Sequence, residues 1–177
     1  MAHKYEHVST GGGFSVRNGN VKTPVISQGG KLEPDALSDE TLKVAEVTVS
    51  AADIIATGAG KFGHAAGVNV VPDPGAGKYV EFVSGVLLYT RATAAYTDGG
   101  NITFNANGGS ALTGLLANSV TLGAAASVVA QFPPLSTVGV AVTANKGVNI
   151  VSSAAFTNPG TAAGTFKARV YYRVHTL

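Results

Sequence analysis

Two glycine-rich segments that contain lysine have the residue types and spacing of phosphate-binding loops. Residues 58–63, Gly-Ala-Gly-Lys-Phe-Gly, match the dinucleotide fingerprint G-x-G-x-x-G. That fingerprint binds a pyrophosphate only where a strand leads in and a helix leads out. Here the pattern predicts a helix before the glycines and none after them. Because the chain has 23 glycines, we attribute the match to chance.

The second such segment, Gly-Ala-Gly-Lys at residues 75–78, resembles the end of a phosphate loop. Pro72 stands where the first glycine of that loop belongs, and Tyr79 replaces the Ser or Thr that would hold Mg²⁺. A strand, not a helix, is predicted to follow. We therefore interpret the segment as a turn, and no cofactor is expected.

Residues that bind metals or attack substrates are scarce. His3 and His7 have the i, i+4 spacing of a helical metal site, but they are terminal and no third ligand is nearby. The chain has no cysteine, which excludes disulfides, thiolate metal sites and a cysteine nucleophile. No metal is expected.

Hydrolysis requires a nucleophile with a base, or two carboxylates facing a cleft. Residues 47–177 offer only Asp53, Asp73, Glu81 and Asp98. We assign Asp53 to a helix cap and the other two aspartates to turns. Glu81 lies within a predicted strand, where an arginine is its expected partner. The sequence thus predicts that the chain is not an enzyme.

Charged residues are few and unevenly distributed. They make up 12% of the chain, against about 25% in an ordinary soluble domain. Between Gly99 and Asn145 there are none. Charges normally keep a free surface soluble and separate from its neighbours. This composition predicts a surface that is rich in Gly, Ser and Thr or covered by protein partners.

One charge pattern has functional promise. Near the C-terminus, Lys167, Arg169 and Arg173 share one face of a predicted strand. A solvated outer face is the default interpretation, and contact with an acidic protein surface is the next. Contact with nucleic acid is the least favoured interpretation of the three, because the net charge is only +2 and no broad basic field surrounds the stripe.

The first 46 residues differ from the rest of the chain. Gly-rich and Pro-containing turn signals punctuate them every few residues and leave little room for an element. Short apolar patches interrupt the polar run. The segment is either disordered or an extended arm that becomes ordered on a neighbour. We divide the chain into an extended N-terminal arm, residues 1–46, and a β-domain, residues 47–177.

The β-domain shows one helix signal and many strand signals. Ser50 and Asp53 match a capping box, which predicts about two helical turns ended by Gly58. Strict alternation of apolar and polar residues predicts a strand over 166–175 with one buried side. Further strands are predicted at 44–49, 68–71, 78–90, 101–106, 119–122, 127–132 and 147–152. The fold class is therefore all-β: a jelly-roll-like antiparallel sandwich with one short helix and an extended N-terminal arm.

Targeting and membrane signals are weak. The N-terminal residues lack the apolar region of a secretory signal. The uncharged stretch 111–130 is broken by Gly, Asn, Ser and Thr, so we expect no membrane span there.

Three runs of the sequence resemble a known family. They are Val-Thr-Val-Ser-Ala-Ala-Asp-Ile-Ile at 47–55, Val-Val-Pro-Asp-Pro-Gly-Ala-Gly-Lys-Tyr-Val at 70–80 and Thr-Ala-Ala-Tyr-Thr-Asp-Gly-Gly-Asn-Ile-Thr-Phe at 93–104. In this order they are similar to head decoration, or cement, proteins of tailed bacteriophages. The similarity covers about residues 44–177, and the arm has no pattern that matches.

The resemblance implies a homotrimer of jelly-roll subunits on the outer surface of a phage capsid, where it stabilises neighbouring major capsid protein subunits. The resemblance implies no catalytic residues in this chain. Candidate capsid contacts lie in the apolar patches of the arm and in the basic stripe: Tyr5, Phe14, Val16, Val25, Ile26, Lys167, Arg169 and Arg173.

Two other classes of function remain open. The alternative is a phage tail or baseplate component that binds a host receptor or glycan, for which an exposed loop aromatic such as Tyr96 would be the clue. A hydrolase acting on the cell envelope is the third class, and it requires a pocket with a perturbed carboxylate or histidine.

Overall fold

The computed structural model describes residues 14–18, 21–25, 27–28, 31–32, 41–135, 143–157 and 164–177. The chain divides into two compact units, Met1–Thr41 and Leu42–Leu177. The division falls a few residues before the boundary predicted at residue 46, because Lys43–Val49 is a single strand of the second unit.

The described part of the first unit contains four short strands in antiparallel pairs. Strands β1 (Phe14–Asn18) and β2 (Val21–Val25) form one pair, and β3 (Ser27–Gln28) and β4 (Lys31–Leu32) form the other. Few strands or helices were predicted in this segment, because turn signals punctuate it every few residues. Asn18 pairs with Val21, and Gln28 pairs with Lys31. Two-residue connections rich in Asn and Gly favour hairpins, so the predicted breakers lie between strands.

The second unit has nine strands and one α-helix in its described part. The strands are β5 (Lys43–Val49), β6 (Val68–Val71), β7 (Lys78–Thr90), β8 (Thr97–Asp98), β9 (Ile102–Ala106), β10 (Val128–Phe132), β11 (Val148–Ser152), β12 (Phe156–Thr157) and β13 (Thr165–Thr176). Helix α1 (Ala51–Ile55) is shorter than the two turns predicted. Its cap is confirmed: the Ser50 Oγ accepts a hydrogen bond from the Asp53 N–H at 3.2 Å.

Two sheets form a sandwich around one apolar core. The first has the strand order β10-β7-β13-β5 and the second has the order β6-β11-β9, with all neighbours antiparallel. Aromatic rings join the two sheets across the core. The Phe104 ring of β9 packs 5.6 Å from Phe82 and 5.1 Å from Phe132. The predicted all-β sandwich with one short helix is thus confirmed.

A β-bulge interrupts strand β7. Tyr171 of β13 pairs with Ser84, and the next residue, Tyr172, pairs with Phe82, so Val83 is the extra residue. The bulge shifts by one residue the positions of β7 that face the core. Phe82 before the bulge and Gly85 after it are therefore both buried, although regular alternation along a strand would place residues three apart on opposite faces.

The strand predicted over residues 119–122 is wrong. Asn118–Val120 is a short 3-10 helix, held by hydrogen bonds from Val120 and Thr121 N–H to the carbonyls of Ala117 and Asn118. The Thr121 hydroxyl donates to the same two carbonyls. Hydroxyl side chains that bond local backbone groups compete with a strand ladder.

Candidate functional site

The predicted basic stripe lies on the outer face of the four-stranded sheet. Phe166, Ala168 and Val170 of β13 point into the core with at most 1% of their surface exposed. Because side chains alternate along a strand, Lys167 and Arg169 point away from the core. Arg173 follows on the same strand and is partly exposed. The structure therefore places the three bases as the sequence predicted.

Glu46, on the neighbouring edge strand β5, pairs with two of these bases. Its carboxylate accepts hydrogen bonds from Arg169 Nη2 at 2.7 Å and Nε at 3.0 Å, and from Lys167 Nζ at 3.2 Å. Arg169 lies directly opposite Glu46 in the ladder. The hydrogen bonds from Arg169, and then those from Lys167, hold the pKa of Glu46 below its ordinary value.

Glu81, on β7, forms a second cluster near the other end of β13. It accepts hydrogen bonds from His175 Nε2 at 2.8 Å and from Arg173 Nη1 at 3.2 Å. This confirms the prediction that Glu81 pairs with an arginine. The His175 ring stacks on Tyr79, with 5.0 Å between centroids. The bond from His175, followed by that from Arg173, lowers the pKa of Glu81.

These ion pairs change the character of the stripe. Lys167, Arg169 and Arg173 each pair with a carboxylate of the same chain. The face consequently presents charges of both signs. Exposed ion pairs contribute little to stability, about 0–1 kcal/mol.

Exposed apolar side chains flank the ion pairs on both edge strands of this sheet. Val44 of β5 lies opposite Tyr171 and is 55% exposed. Val129 of β10 lies opposite Leu88 and is 65% exposed. The outer face therefore combines paired charges on β5, β7 and β13 with exposed apolar groups on both of its edge strands. We call this face, with Val44, Glu46, Glu81, Val129 and the basic stripe, the outer sheet face.

The arm candidates fall in the first unit. Phe14 and Val25 are paired partners in the β1–β2 ladder, and Val16 lies on β1. Tyr5 and Ile26 lie outside the described residues.

Tyr96 is not the exposed loop aromatic that would have been the clue to a tail or baseplate component. Its side chain is only 2% exposed, and its hydroxyl donates to the Gly164 carbonyl at 2.6 Å. Its ring packs against Phe156 and Tyr89. It therefore provides no exposed aromatic surface for a receptor or a glycan.

The two glycine-rich segments lack the strand-before, helix-after context of a phosphate-binding loop. Residues 58–63 follow helix α1 and precede strand β6, and Lys61 Nζ pairs with the Asp53 carboxylate at 2.5 Å. Residues 75–77 precede β7, with positive φ at Gly75 and Gly77, as a tight turn requires.

The remaining carboxylates of the sandwich accept hydrogen bonds from neighbouring residues of the domain. Asp73 accepts from the Gly147 N–H at 2.6 Å and from Asn107 Nδ2 at 3.2 Å, and these bonds lower its pKa. Asp98 accepts from the Thr157 hydroxyl at 2.6 Å. Within the described ranges, no group of three His, Cys, Asp or Glu side chains is arranged to hold a metal ion.

The second sheet carries a polar cavity that the sequence analysis missed. It has a volume of about 170 Å³, and Asn105 and Asn149 lie in its wall. Asparagine is depleted in strands, so its presence within two predicted strands was the available signal.

Comparisons with known proteins do not identify relatives: no family model, no curated protein and no solved structure matches the chain. In the part of the chain that the structure describes, no helix is long and apolar enough to cross a membrane.

Proposed function

We propose that the chain is a structural virion protein, a decoration protein that forms a homotrimer on the outer surface of a tailed-phage capsid. There it stabilises contacts between neighbouring major capsid protein subunits, without catalysis, a cofactor or nucleic acid. The observation that carries the proposal is an antiparallel β-sandwich that is preceded in the chain by a separate small β unit.

The strand order supports a jelly roll when residues 111–116 are counted as a strand. These residues bridge to β9 in antiparallel fashion, through Ala111 with Asn105 and Leu116 with Ile102. The two-residue strands β8 and β12 pair only with each other and are left out of the count. Numbered from β5, the first sheet then holds the first, eighth, third and sixth strands, and the second sheet holds the second, seventh, fourth and fifth. We infer the two interlocked Greek keys of a jelly roll from this order.

The outer sheet face supports assembly with other protein chains. Apolar side chains such as Val44 and Val129 are exposed on a domain that has few charges to keep it apart from its neighbours. Both lie on edge strands, which present unpaired backbone groups to a partner. In a shell, many copies repeat one weak contact, and this repetition gives avidity.

Removal of the first unit tests its role. The variant that starts at Leu42 keeps every strand of the sandwich, so we expect it to remain a folded trimer in sedimentation analysis. It should no longer bind or stabilise phage heads that lack the protein, whereas the full chain should do both. Normal head binding by the truncated chain would contradict the role of the first unit.

Location on the virion separates head from tail. Antibody or gold labelling of intact particles should mark the head surface many times over. Labelling of the tail alone would instead support the alternative, a tail or baseplate component that binds a host receptor or glycan. A lone monomer with no affinity for any particle would contradict both.

A further inference from the structure

Asn107 and Gly108 form an Asn-Gly pair in the turn that follows β9. Such pairs lose the asparagine amide more readily than others, because glycine has no Cβ to obstruct attack by its backbone nitrogen. Gly108 is exposed, so water can take the proton of its N–H. Within the described residues this N–H donates no hydrogen bond, so the attacking nitrogen is free.

The reaction open to this pair is deamidation. The Gly108 nitrogen loses its proton to water and bonds to the Asn107 Cγ, and the bond from Cγ to Nδ2 breaks, so that the amide leaves as ammonia. Water then opens the cyclic succinimide that results, and the product is aspartate or isoaspartate. The overall reaction consumes water, releases ammonia and needs no other reactant.

The side chain of Asn107 is held at both ends of its amide. Its Nδ2 donates to the Asp73 Oδ1 at 3.2 Å, and its Oδ1 accepts from the Asn149 Nδ2 at 3.2 Å. Both partners are held in turn. Asp73 also accepts from the Gly147 N–H at 2.6 Å, and Asn149 also donates to the Ala66 carbonyl at 2.9 Å. Rotation of the Asn107 amide toward the following residue therefore breaks both of its bonds.

The backbone of the pair is held as well. The Asn107 N–H donates to the Gly147 carbonyl at 3.0 Å. The Gly109 N–H donates to the Ala106 carbonyl at 2.8 Å and closes a turn in which Gly108 has a φ of 67°. The attacked carbon is thus restrained by its side chain and by its turn, whereas the attacking nitrogen is not bonded.

We propose that Asn107 is a deamidation site whose rate is set by its hydrogen bonds to Asp73 and Asn149. The inference rests on the described residues of the sandwich and is independent of the proposed location on a capsid. Deamidation removes the donor that Asp73 binds and places a second carboxylate beside it. Like charges so close together repel, so the turn does not regain its original contacts and the change is one-way.

Peptide mapping by mass spectrometry tests the site in the full-length protein during incubation at mildly alkaline pH. We expect Asn107 to deamidate at least about tenfold more slowly than in an unstructured peptide of residues 102–112. Asp73→Ala should raise the rate in the protein about tenfold, the factor that corresponds to loss of one hydrogen bond to a charged acceptor. Asp73→Asn should raise the rate by less, because its amide oxygen still accepts. It creates no new site, since Pro74 has no N–H.

Gly85→Ala is the matched control for general loosening of the fold. It crowds Phe104 in the core and leaves the bonds of Asn107 in place, so the rate at Asn107 should not change.

Three results would overturn the proposal. The first is deamidation of Asn107 in the unmodified protein as fast as in the peptide. The second is an unchanged rate in the Asp73 variants, and Asp73→Asn decides this point if Asp73→Ala does not fold. The third is equal acceleration by Gly85→Ala, because the reaction would then proceed through unfolding of the whole domain.

Discussion

The ring of Phe104 lies against the backbone of Gly85, across the interface between the two sheets. A Cβ atom added to Gly85 would be 2.5 Å from the Phe104 Cε2. Phe104 is fully buried and also contacts Phe82 and Phe132, so its ring has no free space to move into. A residue without a side chain therefore sets how closely the sheets approach at the β7 bulge.

Gly85→Ala should destabilise the sandwich by about 1–3 kcal/mol, the usual cost of overpacking a core. The measurement is the free energy of unfolding from urea denaturation. Gly114→Ala is the matched control. Gly114 is exposed and has no atom within 4 Å of an added Cβ, so this substitution should change stability by less than about 0.5 kcal/mol. Equal effects of the two substitutions would show that Phe104 can move aside.

Local sequence patterns predicted much of the fold. The alternation in β13 defined a strand with Phe166, Ala168 and Val170 buried, since a strand with one solvated face must repeat every two residues. The Ser50–Asp53 spacing located the helix, because a capping box is formed by residues three apart. Such signals depend on neighbours in sequence and need no knowledge of the tertiary structure.

Features that depend on distant partners could not be predicted in this way. The bulge at Val83 exists only relative to the partner strand, where Tyr171 and Tyr172 pair with Ser84 and Phe82. Tyr96 lies in the connection that follows β7, yet its hydroxyl bonds to Gly164, which is 68 residues away. Long-range contacts of this kind leave no periodic trace in the chain.

Tyr96→Phe should cost about 1–3 kcal/mol of stability, because the buried Gly164 carbonyl loses its donor. Tyr89→Phe is the matched control in the same aromatic cluster. Tyr89 is equally buried, but its hydroxyl has no partner. Its removal should be neutral or stabilising. Urea denaturation of both variants measures the difference, and a larger loss from Tyr89→Phe would contradict the assigned hydrogen bond.

Tyr96 should also make the protein sensitive to alkali. Burial, reinforced by Tyr89, raises the pKa of Tyr96 from 10.0 to about 12. The folded state therefore keeps a proton that the unfolded state releases. The stability that this proton contributes is complete below pH 10 and is lost as the pH rises to about 12. Unfolding free energies measured across this range should fall less steeply in Tyr96→Phe, and parallel curves would contradict the shift.

The candidate site was predictable only in part. The alternation of residue types along β13 predicted the basic stripe. Its pairing with Glu46 depends on which strand lies beside β13, and local sequence patterns do not determine the strand order. Asn105 and Asn149 lie 44 positions apart in sequence and face one another only because β9 and β11 pair. Single residues were visible in the sequence, and their juxtaposition was not.

The Glu46 cluster should be detectable by acid titration. In the folded protein the hydrogen bonds from Arg169, and then from Lys167, lower the pKa of Glu46 below 4.5. A lowered pKa stabilises the fold at pH values above 4.5, and this contribution is lost as the pH falls through the folded value. Carbon-13 NMR of the carboxyl group should therefore show Glu46 titrating below its ordinary range.

Arg169→Gln should move the pKa of Glu46 back toward 4.5, and Lys167→Gln should do so by less, since Arg169 makes the shorter bonds. If Lys167→Gln raised the pKa of Glu46 more than Arg169→Gln does, the assigned order of the two partners would be wrong. An ordinary pKa of Glu46 in the unmodified protein would show that the cluster does not form in solution.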